Sequence, residues 1–150
     1  MEEFEEKKLL AFTFGYTGVG KSTIAKKISH LPNTEIFHSA IIRRELNLAP
    51  KTPAEADKFF DYRNNLRQEV DKKVYSLLAE HAENSLRRKK NVILDAGFFF
   101  SWQREPIYNI AANYQAELIV LKVCCGDENE IKERLKKREK SFKDSPLNET

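Results

Sequence analysis

The 150 residues are enough for a single domain of ordinary size. Hydrophobic residues make up 41% of the chain and charged residues 33%, which is typical of a folded globular protein and excludes a disordered one. No apolar run approaches the roughly 20 residues that a membrane span needs, and the start lacks the apolar core of a secretory signal, so we expect a cytoplasmic protein. The formal net charge of +3 is modest, but basic residues crowd the C-terminal end and could hold a polyanion there.

Hydrophobic periodicity predicts strands that alternate with helices. In chain order we expect a strand at 9–14, a helix at 21–28, a weak strand at 35–38, a short helix at 40–48, a long helical stretch, continuous or broken, from 53 to about 88, a strand at 91–95, a helix at 102–114, a strand at 117–123 and a basic helix from 127 to about 140. The long stretch has a clear start, because Thr52 can cap it, Pro53 suits its first position and Glu55 can reach back. The alternation predicts an α/β fold with a mainly parallel sheet and helices on both faces.

A glycine-rich segment joins the first strand to the first helix. Its sequence, GYTGVGKS at 15–22, fits the phosphate-binding pattern G-x-x-x-x-G-K-[ST] at every specified position. Glycines let the backbone approach a phosphate closely, and successive N–H groups then converge on the anion. The helix that follows adds the positive end of its dipole. This motif predicts a site for the phosphates of a nucleoside triphosphate, for which we expect Mg-ATP.

The residues of this loop have separate expected roles. Lys21 places a point charge on the β- and γ-phosphates, Ser22 offers its hydroxyl to Mg²⁺, and Thr23 hydrogen-bonds the α-phosphate. The full set expected to hold the nucleotide is Thr17, Gly18, Val19, Gly20, Lys21, Ser22 and Thr23.

A second anchor is expected at Asp95, which ends the strand at 91–95. Ligands of an open α/β sheet gather at the carboxyl ends of its strands, so this carboxylate should lie near Ser22 and Mg²⁺. Asp95 could hold a Mg²⁺-bound water or accept a proton from the substrate, and the sequence does not separate these roles. The alternative is an ordinary turn aspartate before Gly97.

Several arginines could contact the transferred phosphate, because phosphoryl transfer needs positive charge there. Arg134 and Arg138 are four residues apart and share a helix face, where the alternative is a solvated basic surface. Arg43 follows the second strand and could bind an anionic substrate or the γ-phosphate, or else pair with Glu45. Arg104 could join the site or cap its helix.

Other residues that could carry chemistry are expected to be structural. The histidines occur in helix or strand contexts without a partner pattern, at His30, His38 and His81. The three adjacent phenylalanines at 98–100 cannot all face one core, and packing is the expected role for most of them.

Taken in order, five segments are similar to those of a known group: GYTGVGKST, SAIIRREL at 39–46, VYSLLAEHAENSLRRKKNVILDAGF at 74–98, Arg104, and IKERLKKRE at 131–139. The chain resembles the P-loop kinases of the zeta-toxin and polynucleotide-kinase-like group, whose relatives include gluconate, shikimate and adenylylsulfate kinases. The resemblance spans most of residues 12–139. The loop is specific to the superfamily, and the order and spacing of the other segments support it.

The resemblance implies a three-layer P-loop nucleoside-triphosphate-binding domain over residues 1–150, with a tail at 1–8, a lid region at 132–150 and a short C-terminal end. It also implies transfer of the ATP γ-phosphate to a hydroxyl. The roles it implies are catalytic for Lys21, Asp95 and Arg138, metal-side for Ser22 and Asp95, substrate-binding for Arg43, and lid contact with the nucleotide for Arg134 and Arg138.

One departure from the group affects catalysis. Where the group often has an Asp that acts as base for the acceptor hydroxyl, this chain has Ala40. A general base typically supplies about 10²–10⁴-fold in rate, so Asp95 or another residue must serve, or transfer is slow.

Three functions follow from these observations. The first is a kinase that phosphorylates a hydroxyl of a small molecule. The second is a 5′-hydroxyl polynucleotide kinase, which the basic clusters support and which would make a nucleic acid the partner. The third is a nucleotide-binding or regulatory ATPase module with weak or no transfer activity, which Ala40 and the short C-terminal end favour. No membrane partner is expected, and the sequence indicates neither the acceptor nor the oligomeric state.

Overall fold

The computed structural model describes residues 6–15, 25, 27–28, 30–61, 65–122, 129, 133 and 136. Within them lies one parallel sheet whose strand order is β2-β3-β1-β4. Its strands are β1 (Leu9–Phe14), β2 (Thr34–His38), β3 (Asn91–Asp95) and β4 (Glu117–Lys122). Its helices are α1 (Ser39–Glu45), α2 (Pro53–Phe60), α3 (Asn65–Arg87) and α4 (Ser101–Asn113).

The two faces of the sheet have different partners. Alternate residues of β1 and β3, such as Phe12 and Leu94, are fully buried in the main core together with α3 and α4. The intervening residues Ala11 and Ile93 pack on the opposite face, where the helical residue Ala25 joins them. Helices therefore cover both faces, as expected for parallel strands that are apolar on both sides. The predicted α/β fold is confirmed.

The predicted helix start at Thr52 is present. The Thr52 hydroxyl accepts a hydrogen bond from the N–H of Glu55 at 3.1 Å, and the Glu55 carboxylate accepts one from the N–H of Lys51 at 2.7 Å. The carboxylate thus reaches back one residue further than in a capping box. The long helical stretch is broken: α2 ends at Phe60, and α3 begins at Asn65.

The other predicted elements agree with the structure to within one residue at most ends, and one needs correction. The helix expected at 40–48 is α1, which begins at Ser39 but ends at Glu45. It ends early because Asn47 has a φ of 57°, a left-handed conformation that stops the helix. The predicted helices at 21–28 and 127–140 lie mostly outside the described residues. None of the described helices is long and apolar enough to cross a membrane.

Candidate active site at the carboxyl edge of the sheet

Three polar side chains meet where neighbouring strands end. His38 is the last residue of β2 and is paired in register with Asp95, the last residue of β3. Thr13 of β1 follows Phe12, which is in register with Leu94, so Thr13 is level with Asp95 on its other side. Side chains alternate between the faces of a strand. The three therefore lie on one face of the sheet, the face opposite the main core.

The carboxylate of Asp95 is held from both sides. The Nδ1 atom of His38 is 2.7 Å from Oδ2 of Asp95, and Oγ1 of Thr13 is 3.3 Å from Oδ1. The Thr13 hydroxyl also lies 3.1 Å from the carbonyl oxygen of Ala96 and accepts a hydrogen bond from the Ala96 N–H at 3.2 Å. A hydroxyl has only one hydrogen, so Thr13 shares it between the Asp95 carboxylate and the Ala96 carbonyl. Of the two hydrogen bonds that Asp95 accepts, the one from His38 is therefore stronger than the one from Thr13.

Burial makes these contacts necessary. The Asp95 side chain is only 6% exposed, whereas that of His38 is 26% exposed. A buried carboxylate is tolerated only when hydrogen bonds or opposite charge replace the lost water. A carboxylate can only accept, so Nδ1 of His38 must carry the hydrogen in this contact. Asp95 is therefore a fixed hydrogen-bond acceptor at the carboxyl edge of the sheet.

The turn after Asp95 is fixed by two distant side chains. The Tyr75 hydroxyl on α3 accepts hydrogen bonds from the N–H groups of Gly97 and Phe98, at 3.1 and 3.2 Å. The Arg104 guanidinium on α4 donates to the carbonyl oxygens of Phe98 and Phe99, at 2.8 and 2.9 Å. Burial raises the pKa of Tyr75 to about 12, so the phenol stays neutral at ordinary pH. Arg104 thus supports the turn from its own helix.

The phosphate-binding motif begins at this same edge. The strand β1 ends at Phe14, and Gly15 follows as a buried residue. Since β1 lies beside β3, the loop leaves the sheet next to Asp95. The residues expected to bind the nucleotide, Thr17, Gly18, Val19, Gly20, Lys21, Ser22 and Thr23, lie outside the described residues, as do Arg134 and Arg138 of the lid region.

Arg43 has a partner other than the one considered from the sequence. Its guanidinium on α1 lies 3.6 Å from the carboxylate of Asp71 on α3, which also accepts two hydrogen bonds from Nε of Arg67, at 3.0 and 3.1 Å. Both guanidinium groups lie over the ring of Phe59, at 5.0 Å for Arg43 and 4.3 Å for Arg67. Two cations therefore share one buried anion and one aromatic face.

The electrostatic state of Arg43 reflects this crowding. Burial lowers its pKa, and the neighbouring cation of Arg67 lowers it further, while Asp71 acts in the opposite direction. The Nε atom of Arg43 is buried and has no hydrogen-bond partner in the described part of the chain. The cluster of Arg43, Arg67 and Asp71 carries one excess positive charge between α1 and α3.

Sequence reasoning missed His38 as a member of this site. The usable signal was its position: it ends a strand, as Asp95 does, and both are polar residues at a strand's carboxyl end. The other two histidines lie elsewhere in the described structure. His81 stacks on Phe37, with ring centroids 4.7 Å apart, and His30 is exposed.

The donor set around Asp95 is compatible with Mg²⁺ bound together with a nucleotide. Among the described residues, no group of three or more His, Cys, Asp or Glu side chains could hold a metal ion alone. Mg²⁺ typically keeps several waters and uses one or two protein groups plus substrate phosphates. Each Asp95 oxygen accepts one hydrogen bond here and has capacity left for another.

The fold recurs in solved structures. A candidate kinase from Chloroflexus aurantiacus J-10-fl superposes with a TM-score of 0.69 at 15% identity, covering 95% of this chain and 72% of that one. The protein APE1195 gives 0.63 at 18% identity, covering 91% and 74%. A chain of the Pnkp1/Rnl/Hen1 RNA repair complex gives 0.61 at 19% identity, covering 89% of this chain and 38% of that one. At these identities the likeness establishes the fold alone.

Sequence comparison places the chain in a family. No curated protein matches it significantly. The family model described as AAA domain, AAA_33, matches residues 10–150, which begin in β1 and include the phosphate-binding motif and Asp95. With its parallel sheet and phosphate-loop motif, this chain belongs to the AAA_33 family of AAA domains and is a P-loop domain.

Proposed function

We propose that this protein is an ATP-dependent kinase that transfers the γ-phosphate of Mg-ATP to a hydroxyl group of a small molecule. The observation that carries the proposal is the buried carboxylate of Asp95, held by His38 and Thr13 beside the strand that runs into the phosphate-binding motif. A protein that only needed a stable core would gain nothing from an anion at this place. A phosphotransferase needs one there, next to the nucleotide's metal.

The residues divide between nucleotide and acceptor. The motif residues 17–23 would bind the phosphates, with Lys21 on the β- and γ-phosphates, and Arg134 and Arg138 would cover them from the lid. Ser22 and Asp95 would hold Mg²⁺, which when bound neutralises charge on the phosphates. In the transfer, the acceptor oxygen forms a bond to the γ-phosphorus, the bond from that phosphorus to the β–γ bridging oxygen breaks, and the hydroxyl proton passes to Asp95 or to a solvent water. ADP is the other product.

The acceptor would bind beside β2. The strand ends at His38 and α1 follows at once, so the acceptor would lie near the first turn of α1, and the cluster at Arg43 lies further along the same helix. The excess positive charge of that cluster supports an acceptor with an anionic group. Arg43 is the proposed contact with that group, because it carries part of this positive charge on α1.

A second candidate function is a 5′-hydroxyl polynucleotide kinase. The observation in its favour is an exposed aromatic pair, Phe100 and Trp102, whose rings are nearly parallel with centroids 6.4 Å apart. Trp102 also meets Tyr75 edge-on, and Tyr75 holds the turn after Asp95. Exposed aromatic faces near a basic site are suited to stacking on single-stranded bases.

The third candidate function is a nucleotide-binding module without transfer. It is favoured by Ala40, which places no carboxylate on the first turn of α1.

The test is ADP release from Mg-ATP, measured with and without a panel of sugars, nucleosides and 5′-hydroxyl oligonucleotides. Release stimulated by a small alcohol supports the lead proposal, and release stimulated only by oligonucleotides, with a steep salt dependence, supports the second. ATP binding without release on any acceptor supports the third.

The phosphate loop is tested with two matched variants. Lys21→Ala should abolish tight Mg-ATP binding, whereas Lys27→Ala removes an exposed lysine of the same segment and serves as the control. If Lys21→Ala binds Mg-ATP as tightly as the parent and Lys27→Ala do, the phosphate-loop assignment is refuted.

A further inference from the structure

We infer that His38 is a positioning residue of this site, whose imidazole N–H holds the Asp95 carboxylate in the orientation that the metal-bound nucleotide requires. The inference rests on the proposed function, because it assigns His38 a role toward Mg-ATP. It adds a residue that the phosphate-binding motif and the resemblance do not include. Three features of the structure and one general property of metal sites support it.

The first feature is register. His38 and Asp95 are 57 residues apart in sequence, yet they are directly paired at the ends of adjacent parallel strands. Backbone pairing with β3 sets the position of the His38 Cα, so the imidazole reaches Asp95 from a rigid element. Groups built on strands are held more accurately than groups on loops. The contact therefore defines the carboxylate's orientation.

The second feature is the difference between the two hydrogen bonds of Asp95. The bond from His38 is 2.7 Å long, which is short for nitrogen and oxygen and typical of a charge-assisted bond. The contact from Thr13 is 3.3 Å long and competes with the carbonyl of Ala96. Because the two bonds end on different oxygens, they fix the plane of the carboxylate together. Removing His38 would leave only the weaker one.

The third feature is exposure. The Asp95 side chain is almost fully buried, while a quarter of the His38 side chain remains accessible. A histidine needed only to satisfy a buried carboxylate could be buried with it. Here the imidazole borders solvent at the carboxyl edge, where ligands of parallel α/β sheets bind. His38 and Asp95 therefore lie at the carboxyl edge of the sheet, where a ligand could reach them, and not deep in the core.

The fourth support is the general effect of such partners at metal sites. Groups that hydrogen-bond a metal-side carboxylate orient it, and their loss typically weakens metal affinity about 10–100-fold. A purely structural role would lower the stability of the fold without a selective effect on Mg²⁺. This difference makes the inference testable by binding alone, without any turnover.

The experiment is an equilibrium Mg²⁺ titration of the binding of a fluorescent ATP analogue to the whole chain. His38→Ala should raise the Mg²⁺ midpoint about 10–100-fold. It should leave binding of the analogue in EDTA unchanged, because the loop residues still hold the phosphates. His38→Asn should restore most of the Mg²⁺ affinity, since its amide nitrogen occupies the place of Nδ1 and can donate to Asp95. His30→Ala removes an exposed histidine and serves as the matched control.

A double-mutant cycle separates positioning from general damage to the fold. If His38 acts through Asp95, His38→Ala should add no further shift to the Mg²⁺ midpoint in an Asp95→Asn background. An unchanged midpoint in His38→Ala, or an equal shift in both backgrounds, overturns the inference. If the parent itself fails to bind the analogue with Mg²⁺, the proposed function fails first, and the inference fails with it. Normal binding by the parent with an unmoved midpoint in His38→Ala overturns only the role of His38.

Discussion

The hydroxyl of Tyr75 accepts a hydrogen bond from the backbone N–H of Phe98 at 3.2 Å, so the long helix α3 holds the turn that follows Asp95. The same oxygen accepts the N–H of Gly97 at 3.1 Å. Phe98 has a φ of 49°, a left-handed conformation that is uncommon for a large side chain, and its ring is fully buried against Phe12. A buried helix residue thus supports an unfavourable backbone conformation next to the carboxylate of Asp95.

The first prediction concerns this support. Tyr75→Phe removes the acceptor for two N–H groups in a buried turn and should lower the free energy of unfolding by about 1–3 kcal/mol, the cost of unsatisfied buried donors. Urea denaturation measures the change. Tyr108→Phe is the matched control, because Tyr108 is 40% exposed and should lose little stability. Equal losses for the two variants would contradict the role assigned to Tyr75.

The second prediction concerns alkaline pH. Burial raises the pKa of Tyr75 to about 12, above the ordinary value of 10.0 that it regains in the unfolded chain. The unfolded state therefore loses this proton first, and the stability due to Tyr75 is complete below about pH 10 and is lost as the pH rises toward about 12. The free energy of unfolding should fall more steeply over this window in the parent than in Tyr75→Phe. Parallel curves for the two proteins would show that the Tyr75 pKa is not raised.

The third prediction concerns the cluster around Phe59. Asp71→Asn removes the anion that Arg43 and Arg67 share, and leaves two cations close together in a largely buried place. Removing one partner of a buried ion pair typically costs about 3–5 kcal/mol, so the free energy of unfolding should fall by roughly 3 kcal/mol. Thermal and urea denaturation measure the loss. Asp57→Asn, on the exposed side of α2, should be close to neutral, and a neutral Asp71→Asn would refute the shared-anion arrangement.

The fourth prediction concerns the acceptor hydroxyl. Ala40 is exposed on the first turn of α1, where an acidic side chain is favoured by the helix dipole. Ala40→Asp should therefore fold normally and place a carboxylate beside the proposed acceptor site. If proton removal limits transfer, acceptor-dependent ADP release should increase by about 10²-fold or more, since a general base contributes about 10²–10⁴-fold.

Ala40→Asn is the control for that substitution, because it has the same shape without a basic oxygen. Increased release by both variants would assign the effect to shape and not to a base. No increase in Ala40→Asp would show that another group already serves the hydroxyl. ATP affinity should be equal in the parent and both variants.

Much of the fold was predictable from local patterns. Local patterns predicted the four strands of the described residues, with that at 35–38 as a weak one. The Thr52-Pro53 signal predicted the start of α2, because a cap and its first turn involve residues close in sequence. The phosphate-binding motif at 15–22 is likewise contiguous, so the sequence alone identified it. The early end of α1 at Glu45 was missed, because a left-handed Asn47 carries only a weak sequence signal.

The sequence by itself thus predicted the strands, the parallel α/β class, the phosphate-binding motif and the position of Asp95 at the end of a strand. Only the tertiary structure decided that β2 lies beside β3, which brings His38 to Asp95, and that α1 lies against α3, which gives Arg43 the partner Asp71. Hydrophobic periodicity reports which face of an element is buried, but it carries no information on which element lies next to it. Neighbours come from the packing of the whole sheet, so contacts between distant residues appear only when the chain is folded.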